Sequence, residues 1–185
     1  MSDGNLVAKS VSSILEAHNL DIESDGLKET PQRVSRMYDE LLSGYNRNPK
    51  EVFKTFENGS YAGLVMVADI QFYSLCEHHM VPFHGKAHIG YVPNGRILGL
   101  SKFARLVNIF SRRLQVQERL TEQVAQAISD NLHPKGVIVY MEAEHLCMSM
   151  RGVNKPGATT KTLSIKGFEN EKQLYVDQFM SQVRK

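Results

Sequence analysis

A chain of 185 residues, 42% hydrophobic and 23% charged, has the make-up of an ordinary soluble globular protein, long enough for one domain with a sizeable core. Its formal net charge of +2 provides no global field for nucleic acid or an anionic membrane. No apolar run reaches bilayer-spanning length, no basic-then-apolar leader opens the chain, and neither of the two cysteines calls for an oxidising compartment. These features predict a cytoplasmic protein with no nucleic-acid or membrane partner.

Val7, Val11, Ile14 and Leu15 recur at helical spacing and predict an amphipathic helix over 5–18. An acidic turn over 21–26 follows. Thr30-Pro31 reads as a hydroxyl N-cap with proline at the first helical position. Val34, Met37, Tyr38, Leu41 and Leu42 then form the stripe of a helix that Gly44 ends. Arg33 and Arg36 fall off that stripe, where a solvated face accounts for both.

Beyond the break at Asn58-Gly59-Ser60, a strand over 64–73 offers Val65, Val67, Ile70 and Phe72 to the core. The next strand, over 86–92, turns Ala87, Ile89 and Tyr91 one way and His88 to a polar face. Pro93-Asn94-Gly95 marks a turn, and 97–100 returns as a short strand. Ser101 caps a helix with Phe103, Leu106, Val107 and Phe110 on one side. A helix over 117–132 buries Leu120, Val124, Ala127 and Ile128, until 133–136 stops it. Strands over 137–142 and 159–168 follow. Asn170 with Gln173 opens a C-terminal helix by a capping box, with Phe179 and Val183 buried. The order is strand–strand, helix–helix, strand–strand with helices added at both ends. It predicts an α+β fold of antiparallel hairpins with helices on one face. The expected organisation is one core domain over 61–185, with an N-terminal helical segment over 1–60 packed on it.

Both cysteines sit among histidines. Cys76-Glu77-His78-His79 holds one and Glu144-His145-Leu146-Cys147 the other. Cysteine and histidine are the preferred ligands of zinc, and Cys-x-x-His lets a single turn offer both. Cys76, His79 and Cys147 make three protein ligands and leave a fourth position for water, the pattern of a catalytic site. A disulfide, or a buried inert thiol beside a core histidine, is the plainer alternative. His78 adjoins a ligand and neighbouring residues rarely face one ion, so it is the acid/base candidate. A metal with three ligands and a spare histidine points to metal-assisted hydrolysis. Ser101-Lys102 at a helix start, Arg105 a turn later and Arg151-Gly152 beyond the second cluster suggest a phosphorylated substrate, against surface solvation as the alternative.

Cys-Glu-His-His followed by Pro82-Phe83-His84-Gly85-Lys86 resembles the signature of zinc-dependent type I GTP cyclohydrolase. The likeness continues in Gly99-Leu100-Ser101-Lys102-Phe103-Ala104-Arg105, in Gln115-Val116-Gln117-Glu118-Arg119-Leu120-Thr121, and from His145-Leu146-Cys147-Met148 to Arg151-Gly152-Val153. It runs from about 29 to 168. The resemblance implies Zn2+ on Cys76, His79 and Cys147, and hydrolysis of GTP at C8 to formate and 7,8-dihydroneopterin triphosphate, the first step of pterin synthesis. His78 is implied as proton donor to the ring nitrogen, His145 as the mover of later protons, and Ser101 as a member of the same catalytic set. Glu118, with Gln117 as a weaker partner, would hold the guanine edge. Ser101, Lys102, Arg105 and Arg151 would hold the triphosphate, and Arg33 and Arg36 would reach the triphosphate of a neighbouring subunit. The implied fold is the tunnelling fold, whose sheets join edge to edge in a homo-oligomer, typically a decamer of two pentamers. Leu163 departs from the small polar residue expected in the last strand, and the segment after Gly167 is atypical. A paralogue that binds without reacting, related tunnelling-fold enzymes and a zinc-knuckle binding module are the alternatives. Filled catalytic positions oppose the first, the Cys-x-x-His with a distant cysteine the second, and the lack of a fourth ligand the third.

Overall fold

The structure is a computed structural model that describes residues 3–58, 60–169 and 171–183. Gly59 and Asn170, named above in a break and a capping box, lie outside these. The chain divides into two compact units, Met1–Ser43 and Gly44–Lys185. The second unit begins at Gly44, within the 1–60 segment expected from sequence.

The first unit is a pair of helices. In α1 (Gly4–Ala17) the Asp3 carboxylate accepts from the N–H groups of Asn5 and Leu6, a true N-cap. Ala8 is buried with Val7, Val11 and Leu15 half-buried around it, whereas Ile14 faces solvent. The cap of α2 (Thr30–Leu41) differs from expectation. Glu29 holds the cap position, Thr30 is already helical, and its hydroxyl donates back to Gly26 O at 3.4 Å. The Ser35 hydroxyl donates to Gly4 O at 3.1 Å and joins the two helices. Arg33 pairs with Glu29 at 2.6 Å across an exposed helix turn, and Arg36 is exposed. Gly44 does not end α2. It lies in the second unit, where an added Cβ would stand 2.1 Å from Ile109 O, so its bare backbone permits a close chain approach.

The second unit is built on a five-stranded sheet. Its strands are β2 (Val65–Cys76), β3 (Pro82–Val92), β5 (Leu114–Gln115), β6 (Gly136–His145) and β7 (Thr159–Gly167), in the order β5-β2-β3-β6-β7. All neighbours are antiparallel except β2 and β5. A separate ribbon pairs β1 (Thr55–Glu57) with β4 (Arg96–Leu98). Strand β2 switches parity: Val65 and Val67 point to the core before a bulge, Ile70 and Phe72 after it. The bulge holds Asp69 at φ 57°, and the extra residue keeps both hydrophobic pairs on one face.

That face is covered by α3 (Leu100–Ser111) and α4 (Gln117–Leu132). Phe103, Leu106, Val107, Leu120, Val124 and Ile128 are buried against Ala87, Ile89, Tyr91, Val137, Val139 and Met141. Each such side chain stabilises the fold by about 1.5–3 kcal/mol relative to exposure. Ser101 is not the cap of α3: Gly99 occupies that position, and Ser101 is an exposed residue of the first turn. The opposite face is not bare, as helices on one face alone would leave it. There α6 (Lys172–Val183) seats Phe179 on Val92, Ile138, Tyr140 and Phe168. Leu163 sits on β7 opposite Tyr140 and is 46% exposed, so the strand forms without needing a polar residue there.

His88 lies on this second face yet is buried and not on a polar surface. Its Nδ1 accepts from the Asp69 N–H at 3.3 Å, and its Nε2 has no partner among the described residues. Burial pushes its pKa below the ordinary 6.5, against the opposing pull of Asp69 and Glu142, and with Lys86 adding to the fall. The native state thus holds His88 neutral, and below pH 6.5 the unfolded chain takes up a proton that the native chain does not. Stability is full above that pH and falls as pH drops toward the folded pKa. In metal-free protein, urea midpoints at pH 8 and pH 5.5 should differ less in His88→Leu than in the parent. An equal difference would remove His88 from the acid sensitivity.

Candidate metal centre

Register brings the two cysteine–histidine segments together. Strand β2 ends on Cys76, β3 begins at Pro82 beside it, and Phe83 of β3 stands opposite His145 at the end of β6. The link between β2 and β3 is a tight turn in which Cys76 N–H donates to Val81 O at 2.9 Å and Met80 N–H donates to Cys76 O at 2.8 Å. Met80 takes a left-handed φ of 54° to close it. A four-residue helix, α5 (Leu146–Ser149), follows β6 at once and carries Cys147 back over the turn.

The result is a group of one nitrogen and two sulfurs. The ligand atoms of Cys76, His79 and Cys147 lie within 4.8 Å of one another, and both thiols are free. Two ligand atoms on a tetrahedral zinc stand about 3.3–3.8 Å apart, given bonds of about 2.0–2.3 Å. The set is therefore open by no more than about 1–1.5 Å, and two thiolates with one imidazole suit zinc chemically. Burial raises the pKa of Cys147, and the adjacent Cys76 sulfur adds to the rise. A dication between the two sulfurs reverses that balance by favouring both thiolates.

His78 stays outside the three-donor group. Its ring is exposed, with Nδ1 3.7 Å from Cys76 Sγ and Nε2 3.9 Å from a Glu77 carboxylate oxygen. Arg151 donates to Nε2 of His79 at 3.4 Å, which puts a guanidinium beside the cluster. His145 is held on two sides. Its ring stacks on Phe83 with centroids 4.6 Å apart and planes 2° from parallel, and its Nε2 lies 2.9 Å from Gln117 Oε1. Burial lowers its pKa, while the nearby Glu118 carboxylate pulls upward.

Gln117, the weaker candidate for the guanine edge, is buried. Its two Nε2 hydrogens are shared among Met141 O, Thr160 O and Thr162 Oγ1 at 3.0–3.1 Å, so the amide is committed to β6 and β7. Glu118, next in α4, is exposed and free to meet a ligand. Ser101, Lys102 and Arg105 share the exposed start of α3, and no hydrogen bond joins their side chains to the cluster among the described residues. His84 stacks on Tyr73, centroids 5.6 Å apart, away from the ligand set. Sequence reasoning missed Arg119, whose guanidinium bonds Glu77, Leu114 O and Gln115 Oε1 and ties the metal turn to α4. Its only signal was its place in the Gln-Glu-Arg run.

Fold and site together define an α+β protein with a Cys–His–Cys group that could hold a metal ion. The family model for GTP cyclohydrolase I matches residues 7–184. A GTP cyclohydrolase 1 of Streptococcus agalactiae serotype Ia is 48% identical over all of both chains. One of Thermobifida fusca is 55% identical over 87% of this chain and 79% of its own, and one of Halalkalibacterium halodurans is 51% identical over 91% of each. Among solved structures, the apo form of an archaeosine synthase QueF-Like is similar over 58% of this chain and 97% of its own, with 15% identity and a TM-score of 0.47, a likeness too slight to bear on function. The chain belongs to the GTP cyclohydrolase I family of enzymes. No helix among the described residues is long and apolar enough to cross a membrane.

The three donors predict about one zinc per chain at neutral pH. Cys76→Ser and Cys147→Ser should each lose the metal, read by elemental analysis after dialysis, while the circular dichroism spectrum holds. Full occupancy in either variant would take that cysteine out of the ligand set.

Proposed function

We propose that this chain opens the purine of GTP at C8, releases formate and recloses the rearranged ribose as 7,8-dihydroneopterin triphosphate, a first step toward pterins carried out in the cytoplasm. The observation that carries this reading is the convergence of Cys76, His79 and Cys147 from two strand ends, in a chain of this family. Those three residues would hold zinc, which when bound supplies Lewis-acid activation of water near neutral pH. His78, exposed and outside the donor set, gives a proton to the ring nitrogen as C8 is attacked. His145 moves protons during the later opening and reclosure. The Glu118 carboxylate accepts from guanine N1–H and the N2 amino group together.

The start of α3 supplies the phosphate end. Ser101 and Lys102 lie in its first turn and Arg105 in the next, where free N–H groups, the helix dipole and two cations favour an anion. The contact of Arg151 with His79 supports a phosphate chain running close to the metal. Incubation with GTP should release formate and, after oxidation, a fluorescent pterin. His78→Ala should keep its zinc and bind GTP yet lose roughly 10²–10⁴-fold in kcat, the contribution of a general acid. A zinc-free His78→Ala would reverse the roles of the two adjacent histidines.

The sheet supports a reading as an oligomer in the tunnelling fold, a decamer of two pentamers. Strand β5 covers only Leu75 and Cys76 of β2, and β7 is the other border, so both sides offer unpaired strand edge. In that assembly Arg33 and Arg36 of one subunit reach the triphosphate of the next. The exposed Met80, Met148, Met150 and Val153 of the metal-bearing segments are further surface for a neighbouring copy to cover. Arg33→Ala with Arg36→Ala should mainly raise KM. Mixed oligomers of that variant with Cys147→Ser, confirmed by two tags, should regain activity, because some sites then combine intact zinc ligands with intact arginines. Mixtures no more active than the better parent would refute the shared site.

A further inference from the structure

We propose that Gln117 is a positioning residue that fixes the tautomer and the ring plane of His145. This rests on the reading that His145 moves protons during turnover. An amide side chain can be turned over without changing its shape, so its orientation must come from its partners. Here two of those partners are main-chain carbonyls, Met141 O at 3.1 Å and Thr160 O at 3.0 Å, and neither can donate. Both demand the NH2 end of the amide. Thr162 Oγ1 at 3.1 Å takes the same end, and its hydroxyl is engaged with Thr121 Oγ1 at 2.6 Å.

The other end is therefore oxygen, and it meets Nε2 of His145 at 2.9 Å. A carbonyl oxygen only accepts, so Nε2 carries the hydrogen and Nδ1 carries the lone pair. Phe83, parallel to the imidazole within 2° with centroids 4.6 Å apart, supports that ring plane by stacking. Gln117 is 1% exposed, so its amide is shielded from bulk solvent. The chain of bonds runs from the backbones of β6 and β7, through one amide, to one ring nitrogen. It presents Nδ1 as the basic atom before any substrate arrives.

The test reads the tautomer directly. In zinc-loaded protein with 15N-labelled histidine at pH 8, imidazole nitrogen shifts separate an N–H from a bare nitrogen, and a His145→Asn spectrum identifies the His145 signals. The parent should show Nε2 protonated and Nδ1 bare; the reverse pattern, or both protonated, would overturn the proposal. In Gln117→Met, which keeps the length and removes the acceptor, the His145 signals should move toward the other tautomer. There kcat should fall about 10²-fold or more with KM within a few-fold and zinc retained, as losses from a misassigned imidazole are large. Thr162→Val loosens the same strand without touching the Oε1–Nε2 contact, and should leave both the tautomer and kcat close to the parent. An unchanged tautomer in folded Gln117→Met, or an equal fall in kcat in Thr162→Val, would reduce Gln117 to a packing residue. If Gln117→Met does not fold, the parent spectrum alone decides. Full turnover by His145→Asn would instead sink the role given to His145, whatever its tautomer.

Discussion

The bonds of one buried amide, Gln117, connect the sheet to the candidate site. Its NH2 group closes on β6 and β7, and its oxygen closes on His145. The residue is the first of α4, and the two that follow continue the work in other directions. Glu118 points outward near His145, and Arg119 reaches Glu77 in the turn between β2 and β3. Successive helix residues are about 100° apart around the axis, so three in a row address three different places. One helix start thereby holds a histidine from β6, presents an exposed carboxylate and holds the turn that bears Cys76 and His79. The Arg119–Glu77 pair is partly exposed and worth little as an isolated ion pair. Its use is geometric, because Arg119 also bonds Leu114 O and Gln115 Oε1 and so cannot swing freely.

The metal centre depends on strand register in the same way. Leu75 pairs with Pro82 and Phe83 with His145, so both metal-bearing segments leave the sheet at one end. A slip of one residue between β3 and β6 would turn His145 to the face that α6 occupies. The bulge in β2 protects the register from the other direction. Without the extra residue near Asp69, either Val65 and Val67 or Ile70 and Phe72 would face the wrong side, and Cys76 would arrive out of phase. Gly85 adds a local demand, since an added Cβ there would stand 1.9 Å from Glu142 O. The strands approach too closely at that point for any side chain, two residues from the stacked pair of Phe83 and His145.

Much of this was legible in the residues themselves. The stripe of Phe103, Leu106, Val107 and Phe110 and the span of α4 needed only helical period, and the ligand trio needed only the spacing of cysteine and histidine. What periodicity could not supply was anything set by partners far away in sequence. Strands β1 and β5 are three and two residues long, too short to show a period, and exist because β4 and β2 lie beside them. Ser101 and Thr30 both looked like caps, since a hydroxyl before an apolar stripe is the usual signal. In both helices the turn begins one or two residues earlier, at Gly99 and Glu29. His88 was read onto a polar face because polar residues are taken as exposed until a buried partner, or a buried gap, is seen.

Two residues show how differently a fold can treat a buried imidazole. His145 and His88 are both pushed toward the neutral form by burial. His145 has an acceptor for its Nε2 hydrogen and a flat ring against it, so its neutral form is a specified tautomer in a specified plane. His88 accepts from Asp69 at Nδ1, which also leaves the hydrogen on Nε2, but there it meets no partner among the described residues. An unmet buried donor is destabilising by about 1–3 kcal/mol, and an apolar residue of similar shape would avoid that. The bond from the Asp69 N–H offers one compensation, because the bulge leaves that group outside the strand ladder and it must be met by something. His88 thus serves the bulge that sets the phase of β2, and β2 sets the position of Cys76. The two imidazoles lie on opposite faces of the sheet, His145 on the strand that leads into Cys147 and His88 beside the bulge that keeps β2 in phase.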